Sequence, residues 1–384
     1  MKKMISLAAM FAVLSYASPA SAELKISGDA AVRARGEFNN TETVAGEKTA
    51  YKDDLKYQYR IRLKASADLG DGYFFKSLVQ NEEVAGAWGT VGVSNTEKYA
   101  LEVSNFYFGR TQENCHFSIG RLPLNSFNNP IFDLALYPIP GLVGTTTVYA
   151  VDVPIYTMNF DRVFGLNYGT KVGSGELNGT LVIFDNNSQV ETGSTPATGT
   201  SGTGLLNDGY ALHVTYKNTI GNVTVEPQAI IALTDMQGPT YQKVSPNTFG
   251  LNATIPSGKS KIGASAFYTV CKDSKGVTGV TKANVDYNGY LFRAKGESGP
   301  VTAWVDYNHT TDKSLVTGST ITETKYNNVF VWAQYNVKVH ESATGTFSLT
   351  PTLRYRASGK ETAGTTGTER NNQLRTELYA TVTF

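Results

Sequence analysis

The sequence predicts an all-β protein, a transmembrane antiparallel β-barrel of about 16 strands with a long third loop folded into the lumen. Segments of alternating apolar and polar residues recur along the chain, as expected where successive side chains of a strand point to opposite faces of a sheet. Short Gly-rich connections alternate with long polar ones, and the last segment alternates strictly up to its final residue, Phe384. Together these features are typical of membrane barrels.

Period-two alternation defines the predicted strands. The second is the clearest, because Tyr57 and Ile61 share one face while Arg60 and Arg62 share the other. The sixth, seventh and twelfth segments alternate less regularly than the rest. The sixteen segments are 24–38, 54–69, 73–82, 98–109, 116–121, 159–172, 176–185, 208–218, 222–234, 247–255, 260–271, 286–295, 300–309, 326–339, 345–357 and 371–384.

The connections between these strands fall into two classes. Five are tight turns rich in residues that tolerate positive φ, at 69–72, 173–176, 219–222, 256–259 and 296–299. Between the turns lie long polar connections at 39–53, 83–97, 122–158, 186–207, 235–246, 272–285, 310–325 and 358–370. Short and long connections therefore alternate, which predicts short periplasmic turns and longer external loops. An even strand count places both termini on the side of the short turns.

The final segment places Leu374 and Leu378 on one face and Arg375 and Glu377 on the other, and it stops on Phe384. This ending resembles the closing strand of bacterial outer-membrane barrels. The resemblance implies that Phe384 also serves as an assembly signal for the barrel assembly machinery. The alternative is an ordinary amphipathic strand that happens to end on an aromatic residue.

The amino terminus has the order of a secretory signal. The initiating Met is followed by the basic residues Lys2 and Lys3. Residues 4–14 are largely apolar, and residues 20–22 are Ala-Ser-Ala. The apolar run is too short to span a bilayer as a helix. We therefore expect a cleaved signal peptide at 1–22 and an outer-membrane barrel at 23–384 in a Gram-negative bacterium. A soluble protein exported to the periplasm or beyond is the alternative.

Composition agrees with a barrel and argues against a nucleic-acid partner. The chain carries 34 basic and 33 acidic residues, so it lacks the excess of positive charge that nucleic-acid binding favours. It is rich in Tyr (22), Phe (18) and Gly (37). Aromatic residues near strand ends are predicted to form the two interfacial girdles against outer-membrane lipid. These residues are Tyr57, Tyr73, Tyr99, Tyr168, Tyr216, Tyr307 and Phe384.

The longest connection, 122–158, follows a strand that ends in Gly120-Arg121. Its carboxylates are Asp133 and Asp152, and the rest of it is largely apolar. A loop of this length and apolar content is expected to pack against something. The pore interior is the favoured location, and an external rim or a subunit contact is the alternative.

With this Gly-Arg pair and the long loop that follows it, the chain resembles the sixteen-stranded general porins of Gram-negative bacteria. Their fifth strand commonly ends in a Gly-Arg step, and the following loop narrows the pore. The resemblance implies a homotrimer and a constriction loop with Arg121, Asp133 and Asp152. The loop departs from that family's pattern because it carries few acidic residues, so an acidic constriction is not expected.

Basic residues predicted to face the lumen form the second functional feature. A guanidinium facing lipid would cost about 2–4 kcal/mol at the bilayer midplane, which favours the lumen for all of them. Because the last strand must pair with the first, they are expected to share one wall. One interpretation is a positive wall that attracts anions, and the other is a set of solvated, mostly paired charges with little selectivity. The residues are Arg33, Arg35, Arg60, Arg62, Lys64, Arg354, Arg356 and Arg375.

Enzyme chemistry has little support in the sequence. His116, His213, His309 and His340 stand on separate predicted strands without metal-ligand spacing, and no phosphate-binding Gly loop is present. We therefore predict no catalytic residue, metal or cofactor. The sequence predicts a passive diffusion channel for small hydrophilic solutes and ions, leaning toward anions. A barrel with a structural or adhesive role, or a hydrolase with its site at the rim, is the alternative.

Overall fold

The structure is a computed structural model that describes residues 23–42, 48–81, 88–92, 94, 100–123, 129–131, 163–185, 209–234, 245–273, 282–313, 315–316 and 321–384. The predicted signal peptide, together with Tyr99, Asp133 and Asp152, lies outside these ranges. Among the described residues, no helix is both long and apolar enough to cross a bilayer.

The described residues form sixteen main strands, which agrees with the number predicted. They are β1 (Glu23–Glu42), β2 (Lys48–Gly70), β3 (Tyr73–Gln80), β4 (Glu102–Thr111), β5 (Cys115–Leu122), β6 (Val163–Val172), β7 (Gly175–Asp185), β8 (Gly209–Ile220), β9 (Val223–Ala232), β10 (Asn247–Ser257), β11 (Ser260–Asp273), β12 (Lys282–Ser298), β13 (Val301–Asp312), β14 (Thr324–Tyr335, continuing as Val337–Ser342), β15 (Gly345–Thr362) and β16 (Glu369–Thr383). Two short pieces extend the sheet, Gly89–Thr90 beside β2 and Leu315–Val316 beside β12.

Each strand pairs antiparallel with its neighbours in sequence, and β16 pairs with β1 to close the ring. The closing ladder runs over 14 residue pairs, from Asp29 opposite Thr383 to Glu42 opposite Arg370. Beyond it, the Gly28 amide donates to the Phe384 carbonyl at 2.8 Å and the Phe384 amide donates to the Gly28 carbonyl at 3.0 Å. The prediction of a closed antiparallel barrel of sixteen strands is confirmed.

The tight turns lie at one end of the barrel. All five predicted turns are present, and Gly173, Gly221, Gly258 and Gly299 adopt positive φ there. Two further short connections, at 112–114 and 343–344, join β4 to β5 and β14 to β15. All seven short connections therefore alternate with the longer ones, as the sequence predicts.

The two faces of the sheet differ in chemistry because of the two-residue period. On β1, Val32 is 58% exposed on the outside, whereas Arg33 beside it is 4% exposed on the inside. Among the predicted girdle residues, Tyr57, Tyr73, Tyr168, Tyr307 and Phe384 have exposed side chains. The outer face is therefore apolar and the inner face is largely polar.

Several strands extend further than the alternation predicts. The β1–β2 ladder continues to Glu42 opposite Lys48, although 39–53 was expected to be a loop. Likewise β15 and β16 extend to Thr362 and Glu369, into the expected connection 358–370. The physical reason is that a strand with water on both faces keeps its backbone ladder without an apolar face, so alternation does not reveal it.

The closing pair supplies a test of ring closure. Deleting Phe384 removes two backbone hydrogen bonds, each worth about 0.5–1.5 kcal/mol, and removes the ring that lies against Gly28. We expect a smaller yield of folded barrel, measured as the fraction that resists unfolding in detergent on a gel. Phe384→Tyr keeps the backbone pair and the ring and is the control. Equal yields from the deletion and the intact chain would contradict this role.

Candidate functional site

Four adjacent strands bring together the predicted basic residues. Their positions on β1, β2, β15 and β16 all fall on the inner face, as the register shows by pairing Arg35 with Glu377 and Arg354 with Arg375. The outward neighbours of these residues, including Leu353 and Leu378, are exposed apolar side chains. The prediction that all eight basic residues share one wall is therefore supported by the register.

Glu377 is the most connected carboxylate of this wall, and its side chain is fully buried. It forms ion pairs with Arg35 at 2.5 Å, with Arg354 at 2.9 Å and with Arg33 at 3.5 Å. The Tyr379 hydroxyl donates to its second oxygen at 2.7 Å. One carboxylate on β16 therefore holds guanidinium groups from two different strands.

Glu37 on β1 is a second junction. Its carboxylate lies 2.6 Å from Lys56, 3.0 Å from Arg375 and 3.4 Å from Arg35. Arg35 thus contacts both Glu37 and Glu377, and it joins the two junctions. Such buried charges persist only when they are paired and hydrogen-bonded, because desolvation of an isolated ion costs several kcal/mol.

Asp29 forms a third junction at the end of the wall nearer the short turns. The Arg62 guanidinium donates from Nε to Asp29 Oδ1 at 3.0 Å and from Nη2 to Asp29 Oδ2 at 2.8 Å, and Arg60 approaches the same carboxylate to 3.6 Å. A two-point contact of this kind fixes the orientation of the guanidinium. The Arg62 side chain remains 31% exposed, so it still presents charge to the interior.

The balance of charge on this wall is positive. The eight basic residues named from the sequence share the inner face with Lys56 and Lys360, and together they outnumber the carboxylates of Asp29, Glu37, Asp54, Asp68, Glu369 and Glu377. Lys64 is exposed on the same face. A surface lined by one sign of charge between low-dielectric walls raises the local concentration of ions of the opposite sign.

Aromatic residues on the inner face were not predicted. Trp304 on β13 and Trp332 on β14 stack with ring centroids 4.6 Å apart and an interplanar angle of 17°. The Arg354 guanidinium lies 3.7 Å from the Trp332 ring, and Arg293 lies 5.4 Å from the Trp304 ring. The sequence carried a signal for this position, because Val305 next to Trp304 faces outward and period two then places the indole inside.

The third tryptophan, Trp88, also lies against the basic wall, next to Gly89–Thr90. Its ring lies 4.2 Å from the Arg33 guanidinium carbon and 4.5 Å from that of Arg60. The sequence placed this residue in the external connection 83–97 and gave no reason to expect it beside an arginine. Only the tertiary fold brings it there.

The third connection is described at 129–131. Asn129 donates to Gln228 at 2.8 Å and accepts from Asn252 at 3.1 Å. Both partners sit on the polar face of the sheet, and Ile131 is fully buried. Asp133 and Asp152, the predicted carboxylates of the constriction, lie outside the described residues.

Arg121, predicted as part of the constriction, takes a different position. It pairs with Phe106 on β4 and with Phe164 on β6, and both of these aromatic rings are exposed on the outer face. Its Nη1 donates to the Val103 carbonyl at 3.2 Å. The alternation of side chains along β5 explains this placement. Arg121 follows Ile119 by two residues, so both side chains point to the outer face.

Three histidines contact polar side chains, and His116 Nδ1 lies 3.9 Å from a Glu176 carboxylate oxygen. His213 lies 3.0 Å from Gln228, and His309 lies 2.7 Å from Asn327 and 3.3 Å from Thr311. Within the part of the chain that the structure describes, no group of three or more His, Cys, Asp or Glu residues is arranged to hold a metal ion.

Comparison with known proteins supports the fold. The sequence matches no protein-family model and none of the curated proteins. Among solved structures, the anion-selective porin from Comamonas acidovorans is 14% identical with a TM-score of 0.52, covering 94% of this chain and 100% of that one. The outer-membrane channel DcaP of Acinetobacter baumannii is 14% identical with a TM-score of 0.52, covering 96% and 99%. The trimer form of OmpT from Vibrio cholerae is 11% identical with a TM-score of 0.50, covering 94% and 99%. At these identities the likeness shows that the chain has the fold of outer-membrane porins.

The role of Glu377 can be tested by Glu377→Gln. This change leaves the buried guanidinium groups of Arg33, Arg35 and Arg354 without the charge that they share, and breaking a buried pair costs about 3–5 kcal/mol. We expect a clearly lower denaturant midpoint in detergent. Glu297→Gln is the matched control, because its partner Lys295 meets a carboxylate that is 40% exposed, and exposed pairs contribute about 0–1 kcal/mol. Equal midpoints for the two variants would contradict the role of Glu377.

Proposed function

We propose that this protein is a passive diffusion channel of the Gram-negative outer membrane for small hydrophilic solutes and ions. One observation carries the proposal: sixteen strands close into a ring whose outer face is apolar and whose inner face is charged. Barrels of eight strands are filled by side chains, whereas those of 16–18 strands leave an aqueous channel. A charged inner wall favours water and ions in that space.

The outer surface supports a membrane location. Closure gives each of the sixteen described strands a neighbour on both sides, as a β-barrel in lipid requires, and large apolar side chains are exposed around the ring. Export through a cleaved signal peptide at 1–22 and insertion by the barrel assembly machinery, with Phe384 as the signal, complete this proposal.

We also propose that the third connection narrows the lumen. The contacts of Asn129 with Gln228 and Asn252, together with the buried Ile131, support this arrangement. Asp133 and Asp152 would then be the acidic residues near the constriction. With few carboxylates opposite the basic wall, the potential inside the channel should favour anions.

A homotrimer is the proposed assembly. Ala34 and Gly36 on the outer face of β1 leave a groove of about 930 Å³ that Leu353, Leu378 and Tyr335 also line. A depression bordered by apolar side chains suits packing between barrels. We propose a channel and not an enzyme, because sixteen strands enclose a lumen with a charged inner wall.

Planar-bilayer recording of purified protein tests the channel. We expect stepwise openings with ohmic conductance and no need for an energy source, because the path is an aqueous pore. Protein unfolded before reconstitution is the control. Correctly folded protein that conducts no ions would contradict the proposed function and favour a structural or adhesive barrel.

Selectivity is tested by neutralising two wall residues together. Arg60→Gln with Arg62→Gln should move the reversal potential in a salt gradient toward cations, and the shift should shrink at high salt, where the Debye length falls to about 3 Å at 1 M. Arg110→Gln with Lys259→Gln removes the same charge at the short-turn end of the barrel and is the matched control. If both pairs shift the potential equally, the basic wall does not set selectivity.

A further inference from the structure

Trp88 reaches the basic wall by a short addition to the sheet. After β3 ends, the Asn81 amide still donates to the Ile61 carbonyl at 3.3 Å. The chain is again beside β2 at Gly89–Thr90, opposite Tyr59 and Gln58. Residues on both sides of 82–87 are therefore tied to the same strand, and the position of Trp88 is set by β2.

The indole of Trp88 covers two guanidinium groups. Arg33 and Arg60 both face its ring, and the Tyr379 ring meets it edge-on with centroids 5.4 Å apart. Trp88 is 7% exposed and Arg33 is 4% exposed. Arg33 lies in the middle of the basic wall, so one central positive charge of that wall is kept from the water of the interior.

A hydrogen-bond chain holds this contact in place. Arg33 Nε donates to Gln58 Oε1 at 2.8 Å, and Gln58 Nε2 donates to Thr90 Oγ1 at 2.9 Å. Gln58 therefore connects the guanidinium to the segment that carries Trp88. Arg33 also donates to the Tyr379 hydroxyl at 3.1 Å, which fixes the guanidinium plane beneath the indole.

The covering ring changes the electrostatic attraction that a passing ion experiences. A guanidinium over an indole is stabilised by the ring quadrupole, and there it is kept from water. The indole also keeps a passing ion farther from the guanidinium, and the Coulomb attraction between the two falls as their separation grows. Arg62, whose side chain is 31% exposed, and Lys64, which is exposed, present more accessible charges on the same wall.

We propose that Trp88 is a specificity-determining residue of the channel, which reduces anion preference and narrows the lumen by covering Arg33 and Arg60. The proposal rests on the proposed channel function. Trp88, in the second connection of the barrel, would then form part of the constriction together with the third connection.

The test is a double-mutant cycle read by reversal potential and conductance at about 0.1 M salt, where the Debye length is about 10 Å. Trp88→Ala should raise the conductance and increase the anion-to-cation permeability ratio about twofold, since it uncovers Arg33 and Arg60. Trp88→Phe keeps a ring face and should behave as the unmodified protein does. Trp88→Ser also removes the covering ring, and it replaces the alanine variant if the latter does not fold.

The decisive comparison uses Arg33→Gln in both backgrounds. With Trp88 present, it should change the permeability ratio little, because the charge is already covered. With Trp88→Ala, it should remove most of the twofold gain. Equal effects of Arg33→Gln in the two backgrounds, or unchanged conductance and ratio in Trp88→Ala, would overturn the role of Trp88. Absence of conductance from the unmodified protein would instead overturn the channel function.

Discussion

The register between β1 and β16 is the constraint on which the rest of the structure depends. These are the first and last strands of the barrel, and their ladder of 14 pairs turns an open sheet into a ring. Because side chains alternate with a period of two, a slip of one residue would exchange the two faces of a strand. Arg33 and Arg35 would then face the apolar exterior. The observed register instead sets Arg35 opposite Glu377, so closure and charge pairing select the same alignment.

Charge pairing also explains why a wall of arginines is stable. Glu377, Glu37 and Asp29 each contact at least two basic side chains, and Arg35 joins two of these junctions. The carboxylates hold the guanidinium groups in fixed positions without cancelling the positive excess. A fixed wall of this kind presents a constant field to a passing solute and needs little reorganisation when an ion arrives.

Period two and turn chemistry were enough to predict the strand number, the five Gly-containing turns and the eight basic residues of the wall. Predictions from the two-residue period failed in strands that do not have one apolar face and one polar face. The part of β1 beyond the predicted strand, residues 39–42, is polar on both faces, and β12 alternates poorly because Tyr287 and Leu291 are buried within the fold. Trp88 could not be predicted, since its contact with Arg33 joins residues from distant strands through tertiary structure. Arg121 was assigned by resemblance to a motif, although parity along β5 would have placed it outside.

We infer that the inner faces of β1, β2, β15 and β16 form a positively charged, water-filled path. The reversal potential of the unmodified protein across a tenfold gradient of potassium chloride tests this most directly. Potassium and chloride diffuse at nearly equal rates, so the sign of the reversal potential depends on the charge of the pore wall. We expect a potential displaced toward the equilibrium potential of chloride, and we expect this displacement to shrink when both solutions are made more concentrated. A displacement toward the equilibrium potential of potassium would contradict it.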